Sequence, residues 1–392
     1  MSAQKIYLNT VQLKAELDRC LNCKNQPCMN ACPVNCNPQE FINQAKQGNY
    51  TDAVRTIGRN NPLGQTCGLI CPDKFCMAAC TRSKIDFAVN IPKVQATILE
   101  KYRRPEDKPF CPAYNGTDIA VIGAGPAGMA AAAVLSRLGY KITIYEASSR
   151  IGGALNMIPE ERLPRETIVK DWETIADERL IELRLNNPVA DPGYLLREYA
   201  GIIIAAGEPN CTNLGIPGEE NCLCYMDYLQ NPEKYKTAGR VAVIGGGCVA
   251  ADCAFTAKNN GAEQVEMFVR RRLADMRVTR REYLDLLNKE IDITALSSPE
   301  RAEKKNGTVS LFVRRNRFNG DKLEAIPGST VEIPGFSLVV KAVGSYAGPL
   351  LENSRIIYAG DCKHGGSTIV EAIASGRSAA FIMNERLTAA AA

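Results

Sequence analysis

The chain has 392 residues, of which 45% are hydrophobic and 23% charged, and its formal net charge is +4. That size suits two or three domains of an ordinary globular enzyme, and so mild a charge gives no electrostatic case for a nucleic-acid or membrane-surface partner. No apolar run approaches the ~20 residues of a membrane helix, and MSAQKIYLNT has no basic stretch followed by an apolar core.

With no export signal, the expected compartment is the cytoplasm. The sixteen cysteines are then expected to be reduced thiols and metal ligands rather than a disulfide scaffold. Nine of them fall in two ordered groups near the start. The first reads Cys20-x2-Cys23-x4-Cys28-x3-Cys32-Pro33, with Cys36 behind it, and the second reads Cys67-x3-Cys71-Pro72-x3-Cys76-x3-Cys80. Free thiols at this density are an oxidation liability, and [4Fe–4S] clusters explain them, since each takes four protein ligands from such short spacings. Zinc is the rival. It usually pairs two C-x2-C hairpins or adds histidines, whereas only Cys20 and Cys23 have that spacing and His364 is the single histidine. With one histidine, triads, His-rich zinc sites and imidazole acid–base chemistry are nearly excluded, so reactivity is expected from cofactors and no side chain is assigned a catalytic role.

Between the cysteines, TVQLKAELDRCLNC and PQEFINQAKQGNYTDAVRTIGRNN have helical apolar spacing, and Asn61-Pro62-Leu63-Gly64 is a turn delivering the second group. Residues 101–116, charged and proline-rich, read as a linker. From Asp118 the chain alternates: strand IAVIG (119–123), helix PAGMAAAAVLSRLGY, strand KITIYE. This is a βαβ unit, hence a parallel sheet. GIIIAAG (201–207) is a buried strand. A second βαβ unit opens at Val241 with VAVIG, and RIIYAGD (355–361) leads to a closing helix, with TAAAA expected to fray. The polar stretch from about 290 to 345 receives no assignment.

The first unit carries Gly123-x-Gly125-Pro126-Ala127-Gly128, and Glu146 ends the next strand. These glycines serve a tight turn, close approach of backbone to a pyrophosphate, and close strand–helix packing. The acid suits ribose hydroxyls. The second carries Gly245-x-Gly247-Cys248-Val249-Ala250, and where an NAD site would place an acid it has Arg270-Arg271-Arg272. Guanidinium forks pair with a 2′-phosphate, so NADP(H) is favoured, with NAD(H) the alternative. Two dinucleotide folds, one inserted in the other, suggest FAD in the outer and NADP(H) in the inner, and Asp361, ending a strand, is placed for the flavin's ribityl or pyrophosphate side, the other reading being a helix cap. Cys222, Cys224, Cys248 and Cys253 lack the C-x-x-C of a dithiol relay and read as small core residues.

With RCLNCKNQPCMNACP, NNPLGQTCGLICP, GAGPAG, IPEERLP, GGGCVAAD and AGD…TIVEAIASGRSAA, the chain resembles the family of the glutamate synthase small subunit and the N-terminal half of dihydropyrimidine dehydrogenase. The large subunit of NADH-dependent ferredoxin:NADP oxidoreductase belongs to the same group. The resemblance runs from Arg19 to about Ala380. It implies an α/β protein with an N-terminal helical bis-[4Fe–4S] domain (1–110). Two nested Rossmann-like domains follow, an outer one for FAD (117–210 and 346–392) and an inner one for NAD(P)H (211–345). One cluster would be held by Cys20, Cys23, Cys28 and Cys80, the other by Cys32, Cys71, Cys76 and Gln95, leaving Cys36 and Cys67 spare. Arg162 would contact the flavin, and Arg270, Arg271 and Arg277 the NADPH phosphate. Further nucleotide contacts would come from Gly153, Ala206, Gly207, Asp252, Gly344, Gly360 and Thr368.

The implied activity is an NAD(P)H-dependent oxidoreductase subunit passing electrons through FAD and two clusters to a larger partner. That partner would be a glutamate synthase large subunit, a dihydropyrimidine dehydrogenase catalytic subunit, or a ferredoxin- or hydrogenase-type protein in electron bifurcation. A redox sensor or scaffold is the non-enzymatic alternative.

Overall fold

The structure, a computed structural model, describes residues 6–391. It divides into two compact units. The first takes the described residues through Leu155, Glu160–Pro209, and those from Ala347 onward; the second takes Asn156–Pro159 and Asn210–Tyr346.

The first unit begins with helices α1 (Thr10–Asp18), α2 (Pro27–Asn30), α3 (Pro38–Lys46), α4 (Tyr50–Asn60), α5 (Gly64–Ile70) and α6 (Ile91–Tyr102). Asparagines start four of these. Asn9, Asn37, Asn49 and Asn90 each accept a hydrogen bond from the backbone N–H three residues on, which satisfies one of a helix's orphan donors. Phe41, Ile42, Ile57, Leu63, Val94 and Ile98 are fully buried between the helices. The stretch 38–61 is two helices, broken at Gln47-Gly48, and Asp107 and Cys111 in the expected linker are buried.

The chain then builds a parallel sheet in the order β15-β4-β1-β2-β3, with β1 (Asp118–Ile122), β2 (Lys141–Tyr145), β3 (Ile181–Arg184), β4 (Gly201–Ile204) and β15 (Ile356–Tyr358). Helices α7 (Pro126–Arg137), α8 (Arg165–Ile175), α12 (Asp361–His364) and α13 (Ile369–Ala391) accompany it. α13 lies so close to α7 that a Cβ added at Gly376 would sit 2.0 Å from the Ala127 carbonyl oxygen. The expected frayed tail is the end of α13 instead: Thr388 Oγ1 donates to the Asn384 carbonyl at 2.8 Å. Ala392, and residues 1–5 of the stretch read for an export signal, lie outside the described residues.

The second unit contains β5 (Asn210–Cys211), β6 (Leu223–Cys224), α9 (Tyr225–Gln230), β7 (Arg240–Ile244), α10 (Cys248–Asn259), β8 (Gln264–Val269), α11 (Arg280–Asn288), β9 (Asp292–Ala295), β10 (Ser297–Lys305), β11 (Thr308–Asn319), β12 (Lys322–Ala325), β13 (Val331–Lys341) and β14 (Ser345–Tyr346). Its main sheet runs β10-β11-β13-β7-β8-β9, with β6 also on β13. β13, β7, β8 and β9 are parallel, while β10 and β11 run antiparallel. The unassigned 290–345 stretch is therefore mostly sheet. Its signal was Asn306-Gly307, a two-residue hairpin turn with φ of 50° and 81° between paired Lys305 and Thr308.

One cysteine expectation is overturned. Cys211 and Cys224 form a disulfide, so Cys224 is not a reduced core thiol. The pairing follows from topology: Lys341 of β13 lies beside Cys224 and Ser345 of β14 beside Cys211, which brings β5 and β6 to one short stretch of chain. Cys253 and Cys222 are buried as expected, but Cys248 is exposed.

Candidate functional site: cysteine clusters and two nucleotide turns

Cys20, Cys23, Cys28 and Cys80 line one cavity, together with Pro27, Ile42, Val89 and Ile91. Left-handed residues bend the chain around it. Asn22 (φ 52°) lies between the first two cysteines and Gln26 (φ 44°) before the third. Asparagine tolerates this region; glutamine there is held by its surroundings. Cys23 Sγ lies 2.9 Å from Thr81 Oγ1. Burial pushes the Cys28 thiol up to about 11, and the neighbouring Cys20 and Cys80 add to it.

The second group gathers behind it. Burial pushes Cys76 up to about 12, with Cys32 and Cys67 contributing, and Cys71 feels Cys67, Cys76 and Cys32. Cys67 lies on α5 and Cys71 caps its end. α5 is pressed on α6: a Cβ at Gly68 would be 2.7 Å from the Pro92 carbonyl oxygen. Gln95, on α6 and nearly fully buried, donates from Nε2 to the Gly64 carbonyl at 2.6 Å, and its Oε1 accepts from Cys36 Sγ at 3.6 Å.

Buried thiols that repel one another ionise only against a strong positive partner, which a bound metal cluster supplies. Among the described residues no three Cys, Asp, Glu or His side chains converge on a single-ion site. The four cysteines instead spread around a cavity, and this donor set fits a cluster better than tetrahedral zinc.

In the first unit, Gly123 has φ +104°, and a Cβ there would meet the Ala205 oxygen at 2.4 Å, so only glycine serves this turn. At Gly128 a Cβ would lie 1.9 Å from the Gly123 oxygen. At Gly125 it would find nothing nearer than Gly153 Cα at 3.9 Å. Gly125 is the N-cap of α7 and supplies no side-chain cap, with Pro126 and Ala127 next. Open space before uncapped helix N–H groups fits a phosphate. Glu146 ends β2 with Oε2 accepting the Ala124 N–H at 2.7 Å and Oε1 accepting Ser148 N–H at 2.8 Å. Oε1 also accepts from Ser148 Oγ at 2.7 Å, so Oε2 is the oxygen that keeps a further lone pair for a ribose hydroxyl.

Ala206 and Gly207 follow β4, and Gly207 also faces open space. Gly360 and Asp361 follow β15; Asp361 is the first residue of α12 rather than its cap, and Ser367 Oγ donates to its Oδ1 at 2.5 Å. Thr368 immediately precedes α13, donating from N and Oγ1 to Glu371 Oε2. Arg162 lies on the loop before α8.

In the second unit, Gly245 and Gly247 lead into α10, whose N-cap Gly247 gives no side-chain cap and whose added Cβ would meet nothing within 4 Å. The Arg277 backbone closes on this turn, donating N–H to the Gly246 oxygen at 2.9 Å. Cys248 Sγ reaches the Arg277 carbonyl at 3.1 Å and Glu282 Oε2 at 3.3 Å. Val249 is exposed, while Ala250 and Asp252 are buried. Gly344 accepts the Thr212 N–H at 3.0 Å.

Arg270 and Arg271 follow β8 with exposed side chains. Asn316 Nδ2 and the Leu296 N–H fix their carbonyls. Arg272 beside them is paired with Asp275 at 2.8 Å and lies 4.4 Å above the Phe318 ring.

The family model described as pyridine nucleotide-disulphide oxidoreductase matches residues 117–344. The chain belongs to that family. A second model, dihydropyrimidine dehydrogenase domain II with its 4Fe-4S cluster, matches residues 2–106 of this oxidoreductase. It is 27% identical to the NAD-dependent dihydropyrimidine dehydrogenase subunit PreT of Escherichia coli, over 96% of this chain and 94% of the relative. It is also 27% identical to the NADPH glutamate synthase small chain of that organism, over 95% and 91%. In fold it resembles Mycobacterium tuberculosis FprA in complex with NADPH (TM-score 0.61, 18% identity, 70% of this chain and 85% of that one). The thioredoxin reductase of T. acidophilum gives a TM-score of 0.53 at 16% identity, over 69% and 99%.

This NAD(P)H-dependent oxidoreductase has two functional contacts that sequence reasoning did not reach. Arg377 of α13 donates to the carbonyls of Val34 (2.8 Å) and Asn60 (2.5 Å). Asp171 of α8 accepts from Thr66 N–H (2.7 Å) and pairs with Arg103 (2.6 Å). Arg377 reaches 343 residues back to Val34, and Asp171 reaches 105 residues to Thr66 and 68 to Arg103, with no local pattern to mark either. Among the described residues no helix is long and apolar enough to cross a membrane.

Proposed function

We propose that the chain is the electron-entry subunit of a larger oxidoreductase, taking hydride from NADPH and delivering single electrons to a partner subunit. One observation carries this reading: α13 links the two redox sites of the first unit. It starts at Ile369, just after Thr368 and the Asp361 segment, and Arg377 on the same helix is bonded to the backbone next to the second cysteine group. Thr368 and Arg377 are nine residues apart, about 14 Å of helix, a short path for electron transfer.

When bound, FAD accepts the two electrons of a hydride and releases them singly to the [4Fe–4S] clusters. The protein supplies placement. The α7 N-terminus and the Gly125 cradle hold the pyrophosphate, Glu146 holds the ribose, and Gly153, Arg162, Ala206, Gly207, Gly360, Asp361 and Thr368 surround the flavin. Gly245, Gly247 and the α10 N-terminus hold the second pyrophosphate. Arg270 and Arg271 select the 2′-phosphate, with Arg277 and Gly344 beside the loop. Cys20, Cys23, Cys28 and Cys80 hold one cluster, and Cys32, Cys71 and Cys76 hold three corners of the other. Residues 1–110 form the iron–sulfur domain, 117–210 with 346–392 the FAD domain, and 211–345 the nucleotide domain. The reaction takes place in the cytoplasm. The partner reduces the final substrate, and the chain's likeness to PreT and the glutamate synthase small chain supports a pyrimidine-reducing or glutamate-forming partner.

Anaerobic titration with NADPH and with NADH tests this. About eight irons per chain and one FAD, bleached first by NADPH with reduced-cluster EPR signals following, is the expected outcome. Bound flavin that neither nucleotide reduces would refute it. Gly125→Val, which fills the cradle, is expected to abolish flavin binding.

A further inference from the structure

We propose that the Cys211–Cys224 disulfide is a reversible lock on the nucleotide site of the second unit. Closed, it holds the Gly344 backbone in place for the nicotinamide nucleotide; opened by a thiol reductant, it lets that backbone loosen. This rests on the nucleotide reading above.

Cys224 stands on the firmly packed side of the bond. It ends β6, where it lies beside Lys341 of β13, and its sulfur caps α9 by accepting the Met226 N–H at 3.3 Å. Tyr225, Tyr228 and Leu229 of α9 are buried in one core with Ala250, Ala254 and Phe255 of α10. Cys211 stands on the weak side. β5 and β14 are each two residues long and form a two-stranded sheet of their own, too little pairing to be stable in water by itself. Yet this small sheet bears on the site. Next to Cys211, Thr212 donates its N–H to the Gly344 carbonyl at 3.0 Å, and a Cβ at Gly344 (φ +117°) would lie 3.6 Å from Thr212 Oγ1. Two residues before Gly344, the Ala342 carbonyl closes on the phosphate turn, where a Cβ at Gly245 would meet its oxygen at 2.3 Å. The disulfide is therefore the covalent tie between this segment and the core that carries α10.

Both cysteines are half-buried rather than sealed in the core, and no other cysteine among the described residues is in a disulfide. A single accessible disulfide in a chain of thiols is the kind that exchanges. In opening, a thiolate of the reductant attacks one sulfur, breaks the S–S bond and forms a mixed disulfide. A second reductant thiol attacks that bond and leaves with the first as their disulfide. Two electrons and two protons end on Cys211 and Cys224 as thiols, and a disulfide oxidant runs the steps backwards. The segment's regained freedom opposes binding and not the hydride step, so Cys211 and Cys224 are positioning residues whose state sets KM and leaves kcat alone.

The test uses the full chain with its clusters and flavin, equilibrated anaerobically in mixtures of reduced and oxidised glutathione, with excess dithiothreitol as the reducing limit. Thiols are trapped by alkylation and read by mass spectrometry, while flavin reduction is followed against NADPH and NADH concentration. As the pair opens, KM for both nucleotides is expected to rise together by at least about fivefold, with kcat, iron and flavin content constant. Cys211→Ser and Cys224→Ser are expected to show the raised KM in every mixture, and Cys222→Ser to follow wild type. Should the serine variants misfold, the wild-type titration decides the matter. A pair that stays oxidised in excess dithiothreitol, a pair that is reduced in every mixture, or a KM that ignores the state of the pair would overturn the inference and leave the function above intact. Flavin that neither nucleotide reduces in either state would overturn both.

Discussion

Replacing Asp171 by alanine is expected to unfasten the iron–sulfur helices from the flavin-side helix α8. The carboxylate is fully buried and accepts from Gln65 N–H (3.3 Å), Thr66 N–H (2.7 Å) and Arg103 Nη1 (2.6 Å). Arg103 is itself almost covered. Alanine leaves two N–H groups at the start of α5 without acceptors and a guanidinium without its counter-ion. Breaking such a buried pair costs about 3–5 kcal/mol, a large share of the roughly 5–15 kcal/mol that holds a domain together. With a urea slope of about 3 kcal/mol per molar, the midpoint should fall by at least about 1 M. Anaerobic urea unfolding, followed by flavin fluorescence and by cluster absorbance, reads it directly. The cluster signal should be lost first, because α5 carries Cys67 and leads to Cys71. Asp171→Asn, which keeps an acceptor but not the charge, should fall between. A loss below about 1 kcal/mol, or coincident unchanged transitions, would refute the reasoning.

Further outcomes follow from the same geometry. Gly68→Ala forces a methyl onto the α6 backbone, and overpacking of about 1–3 kcal/mol should lower iron retention although no ligand is touched; iron counts after gel filtration check it. Arg270→Ala with Arg271→Ala should raise KM for NADPH at least about tenfold and leave NADH little changed, whereas Arg272→Ala, whose partners are Asp275 and Phe318, should alter neither. Glu219 gives a pH signature. Burial alone would raise its carboxyl, but Lys341 at 2.5 Å and the N–H groups of Leu214 and Gly215 hold it below the ordinary value. Its folded pKa is thus depressed, so its stabilisation is present above the unfolded value near 4.5 and is lost as pH falls through the folded one. Thermal melts from pH 7 to 3 should show this loss in wild type and a flatter curve in Glu219→Gln.

Both glycine fingerprints were legible because a βαβ turn is a local object. Gly128 meets its constraint five residues back, at the Gly123 oxygen, and the positive φ of Gly123 is a property of the turn itself, although the backbone that crowds Gly123 comes from Ala205. The Asn306-Gly307 hairpin was equally local, and its polar flanks obscured it. The second cysteine group was harder. Which thiol stands beside Gln95 depends on how α6 lies against α5, and the spacing of Cys32, Cys36 and Cys67 carries no such information. The Arg270–Arg272 run shows the same limit: three equivalent arginines in sequence, of which Asp275 and Phe318 take one away.

The sequence by itself determined the chemistry of this protein: thiols at cluster spacing, two phosphate-binding turns, and a single histidine. Those depend on residue type and on contacts a few positions away. The tertiary structure decided what lies far apart in the chain. It joined Cys80 to Cys20, Arg377 to Val34, Asp171 to Arg103 and Cys211 to Cys224. Such pairings arise only when helices and strands pack to bury their apolar faces, and packing places side chains by geometry that no local pattern records.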